Sequence, residues 1–185
     1  MGGLLSYLIS WVAPSRPAIK YDPTPDPTTG LTQREKQLIM ETWALAGDRK
    51  TVKENGLEFF IQLFTAYPYM QNYFDLFKGK SISELRSSPK LKAHATSVMY
   101  AITSYVENVE DSENLVGLVQ KIAVSHIGRG IKVDDFEKLK IVFLKFLTTY
   151  LGERCTPEIE TAWTKLLTAH NAVYKMTEDE VKGKK

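Results

Sequence analysis

The 185-residue chain has one cysteine, Cys155, so it can form neither an intrachain disulfide nor a thiolate-rich zinc site. No apolar run approaches the roughly 20 residues that a membrane-spanning helix needs. Charge is nearly balanced, 24 basic against 22 acidic residues for a net +2, which leaves no basic stripe of the kind that grips nucleic acid. Internal repeats are missing, and no segment alternates polar and apolar residues long enough to make a strand. Only three histidines are present. What remains is ordinary soluble-domain material, 43% apolar and 25% charged, enough for one domain with a sizeable core.

The first thirty residues differ from the rest. Met1-Gly2-Gly3-Leu4-Leu5-Ser6 fits the N-myristoylation pattern, in which Gly2 is acylated once Met1 is removed. Leu4, Leu5, Leu8, Ile9, Trp11 and Val12 follow as an apolar segment that could supply the second membrane contribution a single acyl chain requires. Arg16 and Lys20 add weak attraction to anionic lipid. This predicts an intracellular protein held peripherally on the cytoplasmic face of the plasma membrane. Two other readings compete: a secretory signal, which lacks a charged leader and a clear cleavage site, and a segment that simply packs on the domain. Pro14, Pro17, Pro23, Pro25 and Pro27 then predict a semi-rigid spacer up to Gly30.

From residue 31 the chain reads as about seven helices, an all-α domain to residue 176, followed by a frayed, charged tail over 177–185. Thr32-Gln33-Arg34-Glu35 is a capping box, with Leu38, Ile39, Thr42, Trp43 and Ala46 as the apolar face behind it. A second helix from about Thr51 turns Leu57, Phe60, Leu63 and Phe64 inward. Pro68 starts a short third helix, and a loop follows through Gly79. Ser88-Pro89 opens a helix to about Asn108, Asp134 caps a long one closed by Gly152, and Thr156-Pro157-Glu158 opens the last.

The stretch Leu115 to His126 carries the chemistry. Leu115, Leu118, Val119 and Ile122 form an apolar stripe that His126 continues, and Gly128 and Gly130 stop the helix. An imidazole on a buried face needs a partner. It is either a backbone carbonyl or a metal ion, for which neutral imidazole is a common ligand. His94, 32 residues earlier, lies on the apolar face of the preceding helix one turn before Val98. If the two helices wall a slot, both imidazoles point into it, and a flat apolar cofactor with an axial metal fits there. Haem b, iron protoporphyrin IX, is such a group. Phe60, Phe74, Phe77, Val98, Ile122, Ile131 and Phe136 are the expected lining. Ser125 is expected to hold the free ring nitrogen of His126, and Arg129 to pair with a haem propionate. His170 and Cys155 read as structural or solvated.

These residues resemble the animal globins over about Leu31 to Met176. The likeness rests on Trp43, Tyr67-Pro68, Phe74, His94 with Val98, His126, and Thr156-Pro157 with Trp163. It implies the globin fold, helices packed around a haem pocket. His126 would be the proximal iron ligand, His94 the distal residue, Phe74 a wedge on the haem, and Phe60 with Val98 the distal wall. The His94–His126 interval, the Ser125-to-Gly130 segment and Cys155-Thr156-Pro157 are more similar to the neuroglobin and globin X lineages. That likeness implies a distal histidine able to bind iron itself, and N-terminal acylation. Two departures stand out: no cysteine near Gly2 for a second acyl chain, and Ser97 where those relatives carry a basic propionate partner.

The expected function is binding of oxygen and other diatomic gases, in a sensing or redox-protective role at a membrane rather than in bulk transport. Haem-dependent nitric oxide dioxygenase, nitrite reductase or peroxide-consuming activity, or electron transfer, is the alternative. Either would draw on an external reductase. A helical adaptor without haem is the third possibility.

Overall fold

The computed structural model describes residues 20–183. The expectations placed on Gly2, on the apolar segment from Leu4 to Val12 and on Arg16 therefore lie outside the described residues. Among the described residues there are seven α-helices and no strand: α1 (Gln33–Ala46), α2 (Val52–Ala66), α3 (Ile82–Arg86), α4 (Pro89–Glu107), α5 (Ser112–Ile127), α6 (Val133–Leu151) and α7 (Pro157–Gly183). No helix among them is long and apolar enough to cross a membrane.

The helix starts follow local hydrogen bonding. Thr32 Oγ1 accepts from Glu35 N at 3.3 Å while Glu35 Oε2 accepts from Thr32 N at 2.8 Å, the reciprocal bonding that its sequence predicts. Ser88 caps α4 and Asp111 caps α5 through bonds to Leu91 N and Asn114 N. The short helix that Pro68 starts is a 3₁₀ helix, Pro68–Tyr73. Three expectations are corrected. The expected loop before Ser88 contains α3, started by a second capping box between Ser81 and Glu84. Lys132, not Asp134, is the N-cap of α6, and the carboxylate that satisfies its N–H is Asp135. The frayed tail expected from Thr177 is instead the end of α7, with Thr177 and Glu178 buried and Glu178 Oε2 accepting from Val133 N.

The proline-rich segment also departs from expectation over residues 20–30. It packs on the domain instead of standing off as a spacer. Asp26 accepts from Thr28 N, Thr29 N and Thr29 Oγ1 and pairs with Lys36 at 3.0 Å. Gly30, at φ +69°, turns the chain so that its N–H reaches the Asp26 carbonyl, and Leu31 is fully buried. Prolines fixed the local backbone, but a carboxylate hub and one apolar anchor decided where it sits.

The core is aromatic. Trp43, Phe143 and Trp163 pack with centroids 5.4–6.1 Å apart, and Phe59 meets Phe143 edge-on. Both indole N–H groups are satisfied, Trp43 by Thr103 and Trp163 by Thr42. One glycine sets the position of the functional face. At Gly56 on α2, an added Cβ would lie 2.9 Å from the Ala95 carbonyl oxygen and 2.8 Å from Met99 Cγ. The α2–α4 crossing is therefore as close as backbones allow, which holds the turn of α4 that carries His94 against Phe60.

Candidate functional site

A cavity of about 160 Å³ opens between α4 and α5 and runs inward toward α7. His94 and His126 both line it, on different helices. Phe60, Phe74, Val98, Ile122, Ile131 and Phe136 line it as expected. Phe60 and Phe74 meet His94 edge-on at 5.1 and 5.0 Å, and Phe136 meets His126 edge-on at 5.4 Å. The position of Ile131 is held by Tyr174, whose hydroxyl donates to the Ile131 carbonyl at 2.9 Å, and Tyr174 in turn packs on Phe136 at 4.4 Å.

The tautomer of His126 follows from its partner. Nδ1 lies 2.8 Å from the carbonyl oxygen of Ile122, one turn earlier on α5. A carbonyl only accepts, so Nδ1 carries the proton and the Nε2 lone pair is left free. Among the described residues His94 has no hydrogen-bond partner at either ring nitrogen, although it sits among aromatic rings. Burial lowers the pKa of both imidazoles. A charge on His126 and the Arg129 guanidinium lower that of His94 further, and Arg129 acts the same way on His126 against the opposing Ile122 bond. Both shifts favour the neutral ring, the form that binds a metal.

Three expected residues are elsewhere. Phe77 is buried against Phe64 and Phe74 and lies behind the cavity wall. Ser125 does not touch the His126 ring. It is exposed, and its hydroxyl and carbonyl both accept from Arg129 Nη1 at 2.6 Å. At helical spacing the residue before His126 points about 100° away, so the carbonyl four residues back reaches the ring instead. Arg129 is likewise at the surface, engaged with Ser125.

Other residues reach the cavity without having been expected. Tyr73 does, and donates at 2.8 Å to Asp135, which also accepts from Tyr69 at 2.7 Å. Burial, then Asp135, push the Tyr73 hydroxyl up to about 12. Tyr105 and His170 also line the cavity, so His170 is not remote from the site. Thr29 of the docked N-terminal turn reaches the same wall. Tyr105 follows the helical spacing that puts it on one face of α4 with His94 and Val98; no pattern marks the other positions, each a polar residue on a helix or turn whose facing is set by tertiary packing. Among the described residues no group of three or more His, Cys, Asp or Glu could hold a metal ion by itself. A metal between His94 and His126 would have to arrive with most of its ligands already in place, as in a macrocycle, and the largely apolar, aromatic-lined cavity suits one.

A family model described as Globin matches residues 57–174. A globin of Buccinum undatum is 33% identical over 139 residues, covering 75% of this chain and 94% of that protein. A globin of Tritia mutabilis is 30% identical over 139 residues, with 75% and 95% covered. Cytoglobin-2 of Danio rerio is 32% identical over 142 residues, with 75% and 78% covered. Among solved structures, ferric myoglobin of Aplysia limacina superposes with a TM-score of 0.73 at 26% identity, covering 80% of this chain and 98% of that one.

Proposed function

This chain belongs to the globin family, and on that premise we propose that it holds iron protoporphyrin IX in the α4–α5 cavity and binds oxygen and other diatomic gases there. His126 is the proximal ligand in this reading. The observation that carries it is the His126 tautomer: a neutral imidazole, its Nδ1–H fixed by Ile122, with Nε2 free in an apolar cavity that a second imidazole shares. Bound haem would supply a redox-active iron with two axial positions.

The chain's own residues do the rest. The Ile122 carbonyl orients the His126 ring and keeps Nε2 electron-rich. Phe60, Phe74 and Val98 exclude water from the His94 side. His94, unpartnered, either donates a hydrogen bond to a bound gas or takes the sixth position itself, as the resemblance to the neuroglobin and globin X lineages implies. In the second case an external gas must displace it, so apparent affinity falls by the fraction of open molecules. Arg129 would swing from Ser125 to a propionate. Electrons for a bound haem would come from an external reductase.

Absorption spectroscopy of the purified protein tests this. A Soret band is expected, with ferrous visible bands reporting one or two axial histidines. His126→Gly should lose haem and recover it with added imidazole. His94→Leu should convert a two-histidine spectrum to an open one. A chain that stays colourless when hemin is offered overturns the proposal. We further propose that Gly2 is myristoylated and brings the protein to the cytoplasmic face of the plasma membrane, in a sensing or redox-protective role. The sequence pattern around Gly2 supports this, and an intact-mass measurement of native protein without the acyl increment would refute it.

A further inference from the structure

Two polar atoms in the cavity are used by nothing described so far. The hydroxyl of Tyr105 on α4 and Nε2 of His170 on α7 have no hydrogen-bond partner among the described residues. Their rings lie 5.5 Å apart. Neither atom is sealed in protein: the one sealed, unpartnered side-chain polar atom among the described residues is Gln62 Oε1. Both residues line the same cavity.

The hydrogen-bonding capacity of each atom can be assigned. Asn171 Nδ2 donates to Glu137 Oε1 at 2.7 Å, and Lys140 holds the other oxygen of that carboxylate at 2.7 Å. The amide of Asn171 is therefore oriented with its oxygen toward His170, whose Nδ1 lies 3.0 Å away. An amide oxygen only accepts, so His170 Nδ1 carries the proton. Burial disfavours the charged ring, leaving Nε2 as a bare acceptor. Tyr105 has the opposite need. Its O–H must donate, and the other polar groups nearby in the wall are engaged: Asp135 with two tyrosines, Lys140 with Glu137. Phe136, between His170 and His126, separates this place from the expected iron ligand.

We propose that Tyr105 and His170 form a second binding site in this cavity, for a small uncharged molecule that both donates and accepts a hydrogen bond. Water occupies it at rest, and hydroxylic solutes such as methanol or hydrogen peroxide replace it. Oxygen, carbon monoxide and nitric oxide are excluded as its occupants, because none can donate to Nε2. Anions fail for the same reason and have no cation to balance them. The site is thus complementary to the gas site, and it does not depend on which imidazole would hold iron.

The test uses the carbon-monoxide-bound ferrous protein, which is diamagnetic, titrated with ¹³C-methanol. Nuclear Overhauser contacts from the methyl group to the Tyr105 and His170 ring protons are expected, saturating with concentration. Tyr105→Phe and His170→Leu should each weaken methanol binding about tenfold or more. Nitrogen-15 spectra should show His170 protonated at Nδ1 and bare at Nε2. Tyr105→Phe keeps the ring and its packing, so it remains informative if His170→Leu folds poorly. Contacts that are absent in the wild type, that survive undiminished in Tyr105→Phe, or a His170 proton on Nε2 would each overturn the site. Absence of a Soret band in the wild type would instead refute the haem proposal, so the two failures are distinguishable.

Discussion

The α2–α4 crossing offers a quantitative test of how the fold positions the site. Consider Gly56→Ala. The new Cβ would meet the Ala95 carbonyl at 2.9 Å and Met99 Cγ at 2.8 Å. Met99 can rotate away, whereas Ala95 O belongs to the α4 backbone, so the helices must part by a few tenths of an ångström. Overpacking of this kind costs about 1–3 kcal/mol. Alanine recovers about 1 kcal/mol of helix propensity, leaving a net loss of up to roughly 2 kcal/mol. For a chain of this size that lowers Tm by up to roughly 8 °C. The displaced turn carries His94, so the visible bands that report the distal side should change as well. Gly117→Ala is the control. It sits within α5 with nothing inside 4 Å of the new Cβ, so only propensity acts and stability should rise by about 1 kcal/mol. Thermal melts of the three proteins, at one protein concentration and one haem loading, decide the matter. If Gly56→Ala melts above the wild-type temperature, as Gly117→Ala should, the close crossing does not constrain α4 and this account of how His94 is placed fails.

Other expectations follow from single side chains. Burial raises the Asp26 carboxyl, but bonds from Thr29 N, Lys36, Thr28 N and Thr29 Oγ1 outweigh it and bring it down to about 2. A depressed carboxylate contributes stability that is complete above its unfolded value and lost as pH falls through the folded one. Denaturant melts should therefore lose this contribution between about pH 4 and pH 2. Asp26→Asn should flatten that limb, and an unchanged acid limb would show the N-terminal turn is not held by Asp26. Tyr174→Phe removes only the bond to the Ile131 carbonyl. It should cost about 1–3 kcal/mol, since a partly buried carbonyl is left without a donor, and it should speed haem loss by freeing the turn after His126. Ser125→Ala should leave the iron–histidine stretching frequency unchanged, because Ile122 rather than Ser125 holds the ring. A shifted frequency would restore Ser125 to the role its position in the sequence suggests.

Much of the fold was readable because its signals are local. The Thr32–Glu35 box, Ser88-Pro89 and Thr156-Pro157 each start a helix where the sequence places one, and Leu38, Ile39, Thr42, Trp43 and Ala46 are all buried as their spacing requires. The Ser81–Glu84 box carries the same signal, though the helix it starts is only five residues long. The two imidazoles were readable because each sits on an apolar face where a polar group demands explanation. The failures share one cause: they depend on which distant group competes for an atom. Ser125 is beside His126 in the chain but a third of a turn away in space. Residues 20–30 look like a spacer until Asp26 finds Lys36 and Leu31 finds the core.

His170 shows why such competition also hides function. Taken alone it is a polar residue on the last helix, and solvation is the natural reading. Its chemistry is set by a relay of three side chains from two helices. Lys140 keeps Glu137 ionised, Glu137 orients the Asn171 amide, and the amide oxygen fixes the proton on Nδ1. Reverse that orientation and Nε2 becomes a donor, which together with the Tyr105 hydroxyl would favour an uncharged acceptor-only occupant such as a diatomic gas. Glu137→Gln makes this reversal available, because a neutral amide can donate to Asn171 Oδ1 and turn the Asn171 amino group toward His170. In that variant methanol binding should weaken while a diatomic gas gains access to the same place. Unaltered methanol contacts, with His170 still bare at Nε2, would mean that something other than Glu137 orients the amide.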